Sequence, residues 1–374
     1  MTDKHLHIIT HDIPYPVAHG GLVDLYHSII ALHACGIKIH LHCFMKSSLE
    51  HQPELNKYCV SVDYYLRKTG IAGFSWSLPY IVSSRSNSKL TKVLSQDDYP
   101  ILLGGVHCSF LLDEKSLKGR KFILRLYNVE HKYYRQLGKF ERDTFKKIYF
   151  YAESKRLEKY ERELAAQVTI AALSEDDARF YENKLHAEAY FLPVFVPYKK
   201  VQHHRQSGMY CLYHANLAVS ENVEVVRWLV NNVFDRLPIP FVVAGRNPSV
   251  HLTRLIESKA DMCLVANPTE SEMQDIIVKA QVNILPSFNN TGVKLKLLNA
   301  LFNGKHCLVN KAGVQGSGLT DLCTIAESSA DFRQQIKRLF DTEITSEQIA
   351  KREEVLGSLY SNERNARLLM SLIW

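Results

Sequence analysis

The stretch Leu285-Pro-Ser-Phe-Asn-Asn-Thr-Gly-Val-Lys-Leu-Lys-Leu-Leu-Asn-Ala-Leu-Phe-Asn-Gly304 decides how the chain is read. It begins at the end of a short apolar run, residues 282–285, and passes through a polar turn into a helical pattern over residues 294–302. Gly304 stops that pattern, and residues 305–310 resume as a strand. A strand, a helix and a strand in close succession signal parallel pairing, because parallel neighbours need a crossover connection. Gly292, beside Val293, exposes backbone donors at a positive helix end, where an anion is stabilised. Lys294 and Lys296 add cations that can neutralise charge on a diphosphate. Either lysine alone would read as a solvated face; the ordered set reads as an anion site.

Upstream the same rhythm recurs. Strand patterns at residues 210–214, 241–244, 262–265 and 282–285 alternate with helical patterns at 222–233, 249–259 and 271–279. Two of these strands end in polar groups suited to a ligand: Asn216 in Tyr213-His-Ala-Asn-Leu217, and Arg246 in Val242-Val-Ala-Gly-Arg246. The first half of the chain repeats the plan. Strand patterns at 5–10, 37–44, 60–65, 101–106, 121–127 and 168–173 accompany a helix at 22–35 and a long charged helix at 139–164. The reading is therefore α/β, with two successive parallel sheets. The segment 192–206, with Pro193, Pro197 and a polar run, suits the linker between them.

With 374 residues and 46% hydrophobic content, the chain can bury two cores of ordinary size. A formal charge of +7 favours anionic partners without choosing among nucleotides, acidic lipid and nucleic acid. Eight scattered cysteines, none in a Cys-x-x-Cys pair, read as reduced residues of a cytosolic protein. No signal peptide is legible, and no run approaches the roughly eighteen apolar residues of a spanning helix. The expectation is a cytoplasmic protein, peripheral at most to the inner face of a membrane.

In the first half, Pro14-Tyr-Pro-Val-Ala-His-Gly-Gly21 follows a strand and opens a helix, so Gly20 and Gly21 either form a tight turn with no ligand or allow close backbone approach to a phosphate or sugar. A dinucleotide site would need Gly-x-Gly-x-x-Gly and an acid closing the second strand. This chain has neither; its second strand ends His42-Cys43-Phe44, which argues against a nicotinamide dehydrogenase. His107 stands just past a strand, where ligands of open α/β sheets gather, and can bond a sugar hydroxyl or move a proton; the alternative is a structural histidine. Arg125-Leu-Tyr-Asn-Val-Glu-His131 occupies a similar place; Arg125 would position the sheet edge, while Glu130 and His131 would reach a cleft. Glu130 has the alternative of capping the helix that follows.

Taken together, these phrases resemble the large family four of retaining glycosyltransferases. The subgroup it resembles reads Gly-x-x-x-Lys-x-x-Glu-Ala-x-x-x-Gly before a strand; here the positions are Gly292, Lys296, Asn299, Ala300 and Gly304. The resemblance implies a GT-B fold, with two Rossmann-like domains facing across a cleft: an acceptor domain over residues 1–195, a nucleotide-sugar domain over 196–350, and a final helical segment 351–374 crossing back. It implies transfer of a hexose from a UDP- or GDP-sugar to a glycan or lipid-linked hydroxyl with retained configuration, in surface polysaccharide synthesis. Lys296, with Lys294 and Arg246, would hold the departing diphosphate, and Gly20 and Gly21 would pack against the donor. His107 would meet the sugar, Asn299 the ribose, and Glu130 and His131 the acceptor side. No cofactor and no metal is expected beyond the donor itself. Asn299 stands where the family has a ribose-gripping glutamate, so a charge-assisted contact is lost. Thr291 stands where many members carry another glutamate. Two rival readings follow from that loss or from the fold: a nucleotide-sugar-binding protein without turnover, and a nucleotide-sugar epimerase.

The segment 115–162 is rich in Lys, Arg, Tyr and Phe, with acids interleaved. It reads as a solvated helix with internal ion pairs; the alternative is a surface for anionic membrane. No nucleic-acid motif accompanies the charge, so nucleic acid is not an expected partner.

Overall fold

The computed structural model describes residues 3–17, 20–46, 52–203 and 207–374. The chain divides into two compact units. Unit 1 is Met1–Lys139, Asp143–Pro197 and Tyr360–Trp374; unit 2 is Phe140–Arg142 and Tyr198–Leu359.

Unit 1 holds β1 (His5–Thr10), β2 (Lys38–Met45), β3 (Ser61–Leu66), β4 (Ile101–Gly104), β5 (Phe122–Leu126), β6 (Thr169–Ala172) and β7 (Ala189–Phe191). They form one sheet in the order β3-β2-β1-β4-β5-β6-β7, and every pair is parallel. Unit 2 holds β8 (Tyr210–Asn216), β9 (Phe241–Arg246), β10 (Met262–Ala266), β11 (Ala280–Ile284), β12 (His306–Val309) and β13 (Thr324–Ile325). Their order, β10-β9-β8-β11-β12-β13, repeats the plan of unit 1, again all parallel. In each sheet the order reverses beside the first strand, between β1 and β4 and between β8 and β11. At such a point neighbouring crossovers lie on opposite faces and leave room for a ligand at the carboxyl ends of the strands.

The strand and helix pattern expected from periodicity stands in outline; helices Ser88–Leu94, Glu175–Leu185 and Ser329–Phe340 were not expected, and other differences bear on the boundaries. The long helix expected over 139–164 is Thr144–Ala165, and a separate helix, Glu130–Phe140, precedes it. The break comes where the Asp143 side chain accepts from Lys146 N (2.9 Å) and caps the second helix. Edge strands β7 and β13 are too short to show an alternation. At the C-terminus, the divisions expected at 195/196 and 350/351 fall at 197/198 and 359/360. The helix Ser346–Leu359 stays with unit 2, because buried Arg352 donates to Gly304 O (3.0 Å) and to Lys305 O. Only Asn362–Ile373 packs in unit 1, burying Ala366, Leu369 and Ile373 against the Leu6, Ile8, Ile29 and Leu32 cluster. Asn362 exchanges two hydrogen bonds with the Val196 backbone (2.9 and 2.8 Å).

The centre of unit 1 carries an ion pair without water access. Arg125 on β5 donates from Nε and Nη2 to the two Asp24 carboxylate oxygens at 2.8 and 2.7 Å. The same guanidinium donates to Leu192 O (2.6 Å), Pro193 O (3.0 Å) and Ala171 O (3.3 Å). Asp24 lies one turn inside the helix Gly20–Ala34 and also accepts from Phe195 N (2.9 Å). Arg125 thus positions an interior junction, not the sheet edge expected for it. Removing one partner strands a buried charge, so Asp24→Ala is expected to cost about 3–5 kcal/mol of stability, read as a drop in the urea midpoint; an unchanged midpoint would refute this role.

A second polar cluster covers one face of β1 and β2, where the pleat places His5, His7, His40 and His42 together. Asp97, itself bonded by Arg120 (3.1 Å), accepts from His7 Nε2 (3.0 Å). The tautomers follow from this anchor. His7 Nδ1 must accept from His42 Nε2 (2.9 Å), and His42 Nδ1 from the Tyr65 hydroxyl (3.1 Å). His5 and His40 repeat the pairing at 3.0 Å. Burial holds His7, His40 and His42 below the usual imidazole range, His42 down to about 3. For these bases, stability is fully present above the unfolded value near 6.5. It falls as pH drops below that value, because the unfolded chain then takes up protons that the folded chain refuses. At pH 5 the loss from His42 alone is about 2 kcal/mol. Urea unfolding of the chain should therefore show a lower midpoint at pH 5 than at pH 7, and equal midpoints would contradict the assignment.

Candidate active site

In unit 2 the candidate residues gather at the carboxyl ends of β8, β9 and β11. The loop 285–294 leaves β11 and is shaped from behind. Glu221, in the helix Ser220–Trp228, accepts from Ser287 Oγ (2.8 Å), Asn289 N (3.1 Å) and Phe288 N (3.2 Å). Asn310 accepts from Ser287 N (2.9 Å) and donates to Ser287 O (2.8 Å). Asn289 Oδ1 accepts from both Thr291 N and Thr291 Oγ1 at 2.8 Å. Gly292 then turns with φ +63, a conformation that a side chain would strain, and the helix Leu295–Asn303 begins. Gly304, expected only as a helix stop, has a second reason. A Cβ there would lie 2.5 Å from Asn283 Nδ2 behind it.

Lys296 is half-buried one residue into this helix. Its ammonium donates to the Tyr213 hydroxyl (3.2 Å) and lies 4.6 Å from the centre of that ring. Tyr213 donates in turn to Asn222 Oδ1 (3.1 Å), and Asn222 Nδ2 donates to Asn216 O (2.9 Å). This chain of donors holds the cation at the sheet edge. Burial lowers the Lys296 ammonium to about 8, with Glu221 opposing the shift and Lys294 adding to it. His214, buried on β8, is pushed down to about 3 by burial and by Lys296, so it is neutral. Its Nε2 has no hydrogen-bond partner among the described residues, which marks a place for a water or ligand.

The other expected residues of this half are placed differently. Arg246 ends β9 beside Asn216 in register, and its side chain is exposed. The Asn216 side chain accepts from Ala218 N (3.0 Å), so it shapes the turn. Lys294 folds back, donating to Thr291 O (2.5 Å) and Gly292 O (3.4 Å), and clamps its own loop. Val293 is half-buried in that loop. Asn299 shares the Lys296 face of the helix, but its Oδ1 accepts from Asn303 Nδ2 (2.8 Å). Glu221 and Tyr213 were not among the sequence candidates. The only sequence signal for them was their place at a strand end and a helix start.

In unit 1, Gly20 and Gly21 open the helix Gly20–Ala34. A Cβ on Gly21 would touch the rings of His11 and Tyr127 at 3.6 and 3.7 Å. His107 begins the turn after β4 and stacks on His11, with ring centres 4.9 Å apart. His11 bonds Gly104 O through Nδ1 (3.0 Å). The buried Tyr127 hydroxyl has no hydrogen-bond partner among the described residues. The structure therefore joins Gly21 and His107 and adds His11 and Tyr127, which sequence reasoning missed.

Glu130 and His131 belong to an adjoining cluster. Glu161, not Glu130, caps the helix Glu130–Phe140, accepting from Glu130 N (2.8 Å) and His131 N (3.1 Å). It also accepts from the Tyr181 hydroxyl (2.7 Å) and pairs with His131 Nδ1 (2.6 Å). Burial raises the Glu130 carboxyl to about 8, with Glu161 and Asp177 adding to the shift, so it keeps its proton at neutral pH. Arg85 links the two groups: it donates twice to His11 O (2.9 and 3.1 Å) and its charge favours ionised Glu130. Both residues are thus mostly buried, and His131 also lines a cavity with Phe180, Lys184 and Arg162.

No family model matches the chain. It is 26% identical over 336 residues to a 44.6 kDa protein in the cps region of Klebsiella pneumoniae, covering 83% of this chain and 84% of that one. Among solved structures it is similar to a variant of S. aureus TarM in complex with UDP, fondaparinux and alpha-GlcNAc-glycerol, with TM-score 0.70, 11% identity and 99% of both chains covered. It is also similar to sucrose-phosphate synthase from Thermosynechococcus elongatus (TM-score 0.68, 13% identity, 99% and 98% covered). A third likeness is to Anabaena HepE in complex with UDP and glucose (TM-score 0.63, 9% identity, 98% of both covered). With two parallel α/β sheets in this order, the chain has the GT-B fold of these structures.

Because Lys296 titrates near 8, an anionic ligand that needs its charge should bind less tightly above that pH. Calorimetry with UDP is expected to show affinity falling toward tenfold per pH unit above about 8, and Lys296→Arg should remove the fall. A fall that persists in the arginine variant would exclude Lys296 as its source.

Proposed function

We propose that the chain is a glycosyltransferase. It moves a hexose from a UDP- or GDP-linked donor to a hydroxyl of a glycan or lipid-linked acceptor, with retained configuration, in surface polysaccharide synthesis. The observation that carries this reading is the Lys296 ammonium, fixed by Tyr213 and Asn222 at the start of a helix on the sheet edge. The GT-B fold supports it, as do the UDP seen with TarM and HepE and the cps-region relative.

In this reading, unit 2 binds the donor. As the bond from the anomeric carbon to the β-phosphate oxygen breaks, charge grows on the departing diphosphate. Lys296 and the N-terminus of the helix Leu295–Asn303 stabilise that charge, and Arg246 is free to swing toward it. The acceptor oxygen bonds the same carbon on the same face, and its proton passes to the departing phosphate. Lys294 contributes by holding the loop closed. Asn299 keeps its amide donor for the ribose while Asn303 occupies its oxygen. His107, stacked on His11, is assigned to the transferred sugar, with Gly20 and Gly21 giving backbone access. Glu130, protonated at neutral pH, acts on the acceptor side as a donor, and His131 is oriented by Glu161. The diphosphate charge is met by protein cations, without an assigned metal.

Release of nucleotide from UDP-glucose, UDP-N-acetylglucosamine and GDP-mannose tests the proposal. Loss of one preorganised charge contact typically costs about 100–1000-fold, so Lys296→Ala should lower kcat by that factor. Turnover indifferent to this substitution would overturn the assignment. Binding without turnover would favour a nucleotide-sugar-binding protein, and appearance of an isomeric sugar nucleotide an epimerase.

A further inference from the structure

The helix Thr144–Ala165 presents an apolar stripe to solvent. Phe145, Ile148, Tyr149 and Ala152 fall at i, i+3, i+4 and i+7, the spacing by which a helix normally buries one face. Here that face is bare: Phe145 is 85% exposed, Ile148 62% and Tyr149 41%. One turn further along the stripe stands Arg156. Its guanidinium lies 5.5 Å from the Phe74 ring and donates to Leu78 O (2.6 Å) and to Ser75 O. Buried Glu153 accepts from Tyr80 N. The loop 70–79 is thereby fastened to the helix, and it presents three more apolar side chains: Ile71 (94% exposed), Trp76 (92%) and Phe74 (47%). Phe74 and Trp76 meet edge to face at 5.0 Å. The helix stripe and the aromatic loop thus stand on elements fastened to one another through Arg156 and Glu153, and both are rich in exposed apolar groups.

Its charge surroundings are mainly basic, although Asp113 and Glu163 line a cavity with Ser77 and Leu78, and exposed Asp143 caps the helix just before Phe145. Residues 64–96 contain Arg67, Lys68, Arg85, Lys89 and Lys92 and no Asp or Glu. Of these, Lys68, Lys89 and Lys92 are exposed. On the helix, Lys146 and Lys155 are exposed and Lys147 half-buried beside the stripe. Acidic Glu153 is turned inward and already satisfied by Tyr80 N, Arg156 standing 3.8 Å away. Exposed Trp, Phe and Tyr with aliphatic neighbours and flanking lysines fit the headgroup zone of an acidic bilayer, where amphipathic rings and cations are both stabilised. A protein interface would instead be expected to deplete lysine around its aromatic anchors. Among the described residues no helix is long and apolar enough to cross a membrane, so contact through this patch would be peripheral.

We propose that unit 1 docks on an anionic lipid surface through Ile71, Phe74, Trp76, Phe145 and Ile148, with Lys68, Lys146 and Lys155 facing the headgroups. The site refines the basic, aromatic segment expected from sequence: half of it lies outside residues 115–162. The inference stands apart from the transferase reading, since it rests on exposure and charge alone.

The test is co-sedimentation of the full chain with vesicles of phosphatidylethanolamine and phosphatidylglycerol, against phosphatidylcholine vesicles. Binding is expected to the acidic vesicles only and to weaken with salt. The pairs I71S/W76S and F145S/I148S should each abolish it. Lys146→Glu should weaken it by at least about fivefold, the contribution of one surface lysine. Unchanged melting temperature and unchanged UDP affinity in the variants separate this result from misfolding and from failure of the transferase reading. No binding to acidic vesicles, or binding unaffected by the paired substitutions, overturns the proposal. A lipid-free dimer in the ultracentrifuge that F145S/I148S converts to monomer also overturns it, assigning the patch to a second copy.

Discussion

Asp24 and Arg125 hold unit 1 in register with itself. A carboxylate inside an otherwise apolar helix and an arginine in the middle of a buried strand would each be costly alone. Together they form a bidentate pair at 2.7–2.8 Å, and the remaining guanidinium protons reach carbonyls of residues 171, 192 and 193. The pair therefore joins the first helix, the fifth and sixth strands and the segment that leads the chain out of unit 1. The final helix is drawn to the same place, where Asn365 donates to Pro193 O (3.2 Å). Because Asp24 sits one turn below Gly20, this junction also sets where the glycines stand. The site at the end of the sheet inherits its geometry from charges buried beneath it.

Unit 2 solves the same positioning problem with neutral and singly charged groups. Glu221 shapes the loop after β11 by accepting from three of its donors, and Tyr213 holds Lys296 through its hydroxyl and its ring. Both anchors come from the strand and helix on the far side of the switch point, β8 and the helix that follows it. A cation fixed in this way does not need to reorganise when charge develops nearby, which is the physical requirement for electrostatic catalysis. Partial burial lowers the ammonium to about 8 and so leaves it charged at neutral pH.

Much of this was legible in the residues. The alternation of apolar runs and helical periods placed the strands of both sheets, since strands covered on both faces read as continuous apolar segments. Gly292 and Lys296 were legible because the strand-to-helix turn is local: their neighbours in sequence are their neighbours in space. Gly21 and His107 were legible for a related reason, as each follows a strand of a parallel sheet and must emerge at its carboxyl edge. The burial of Glu130 and His131 was not legible. They also follow a strand, but Glu161, thirty-one residues beyond Glu130, turns them inward. Lys294 and Asn299 were given ligands in the sequence reading, yet each finds a partner within four residues of itself. The helix boundary at Asp143 was missed because charge continues across it while the capping bond does not show in the period.

By itself the sequence determined the succession of elements, their parallel pairing, and which residues lie at the strand ends, because these depend on local periodicity and on the crossovers that parallel strands require. Only the tertiary structure decided the partners. Asp24 meets Arg125 across 101 residues and Lys296 meets Tyr213 across 83. It also left the stripe from Phe145 to Ala152 bare, although its spacing is that of a buried face. The physical reason is the same in each case. Periodicity states which side of an element is apolar, whereas what covers that side depends on how helices and strands distant in sequence pack together.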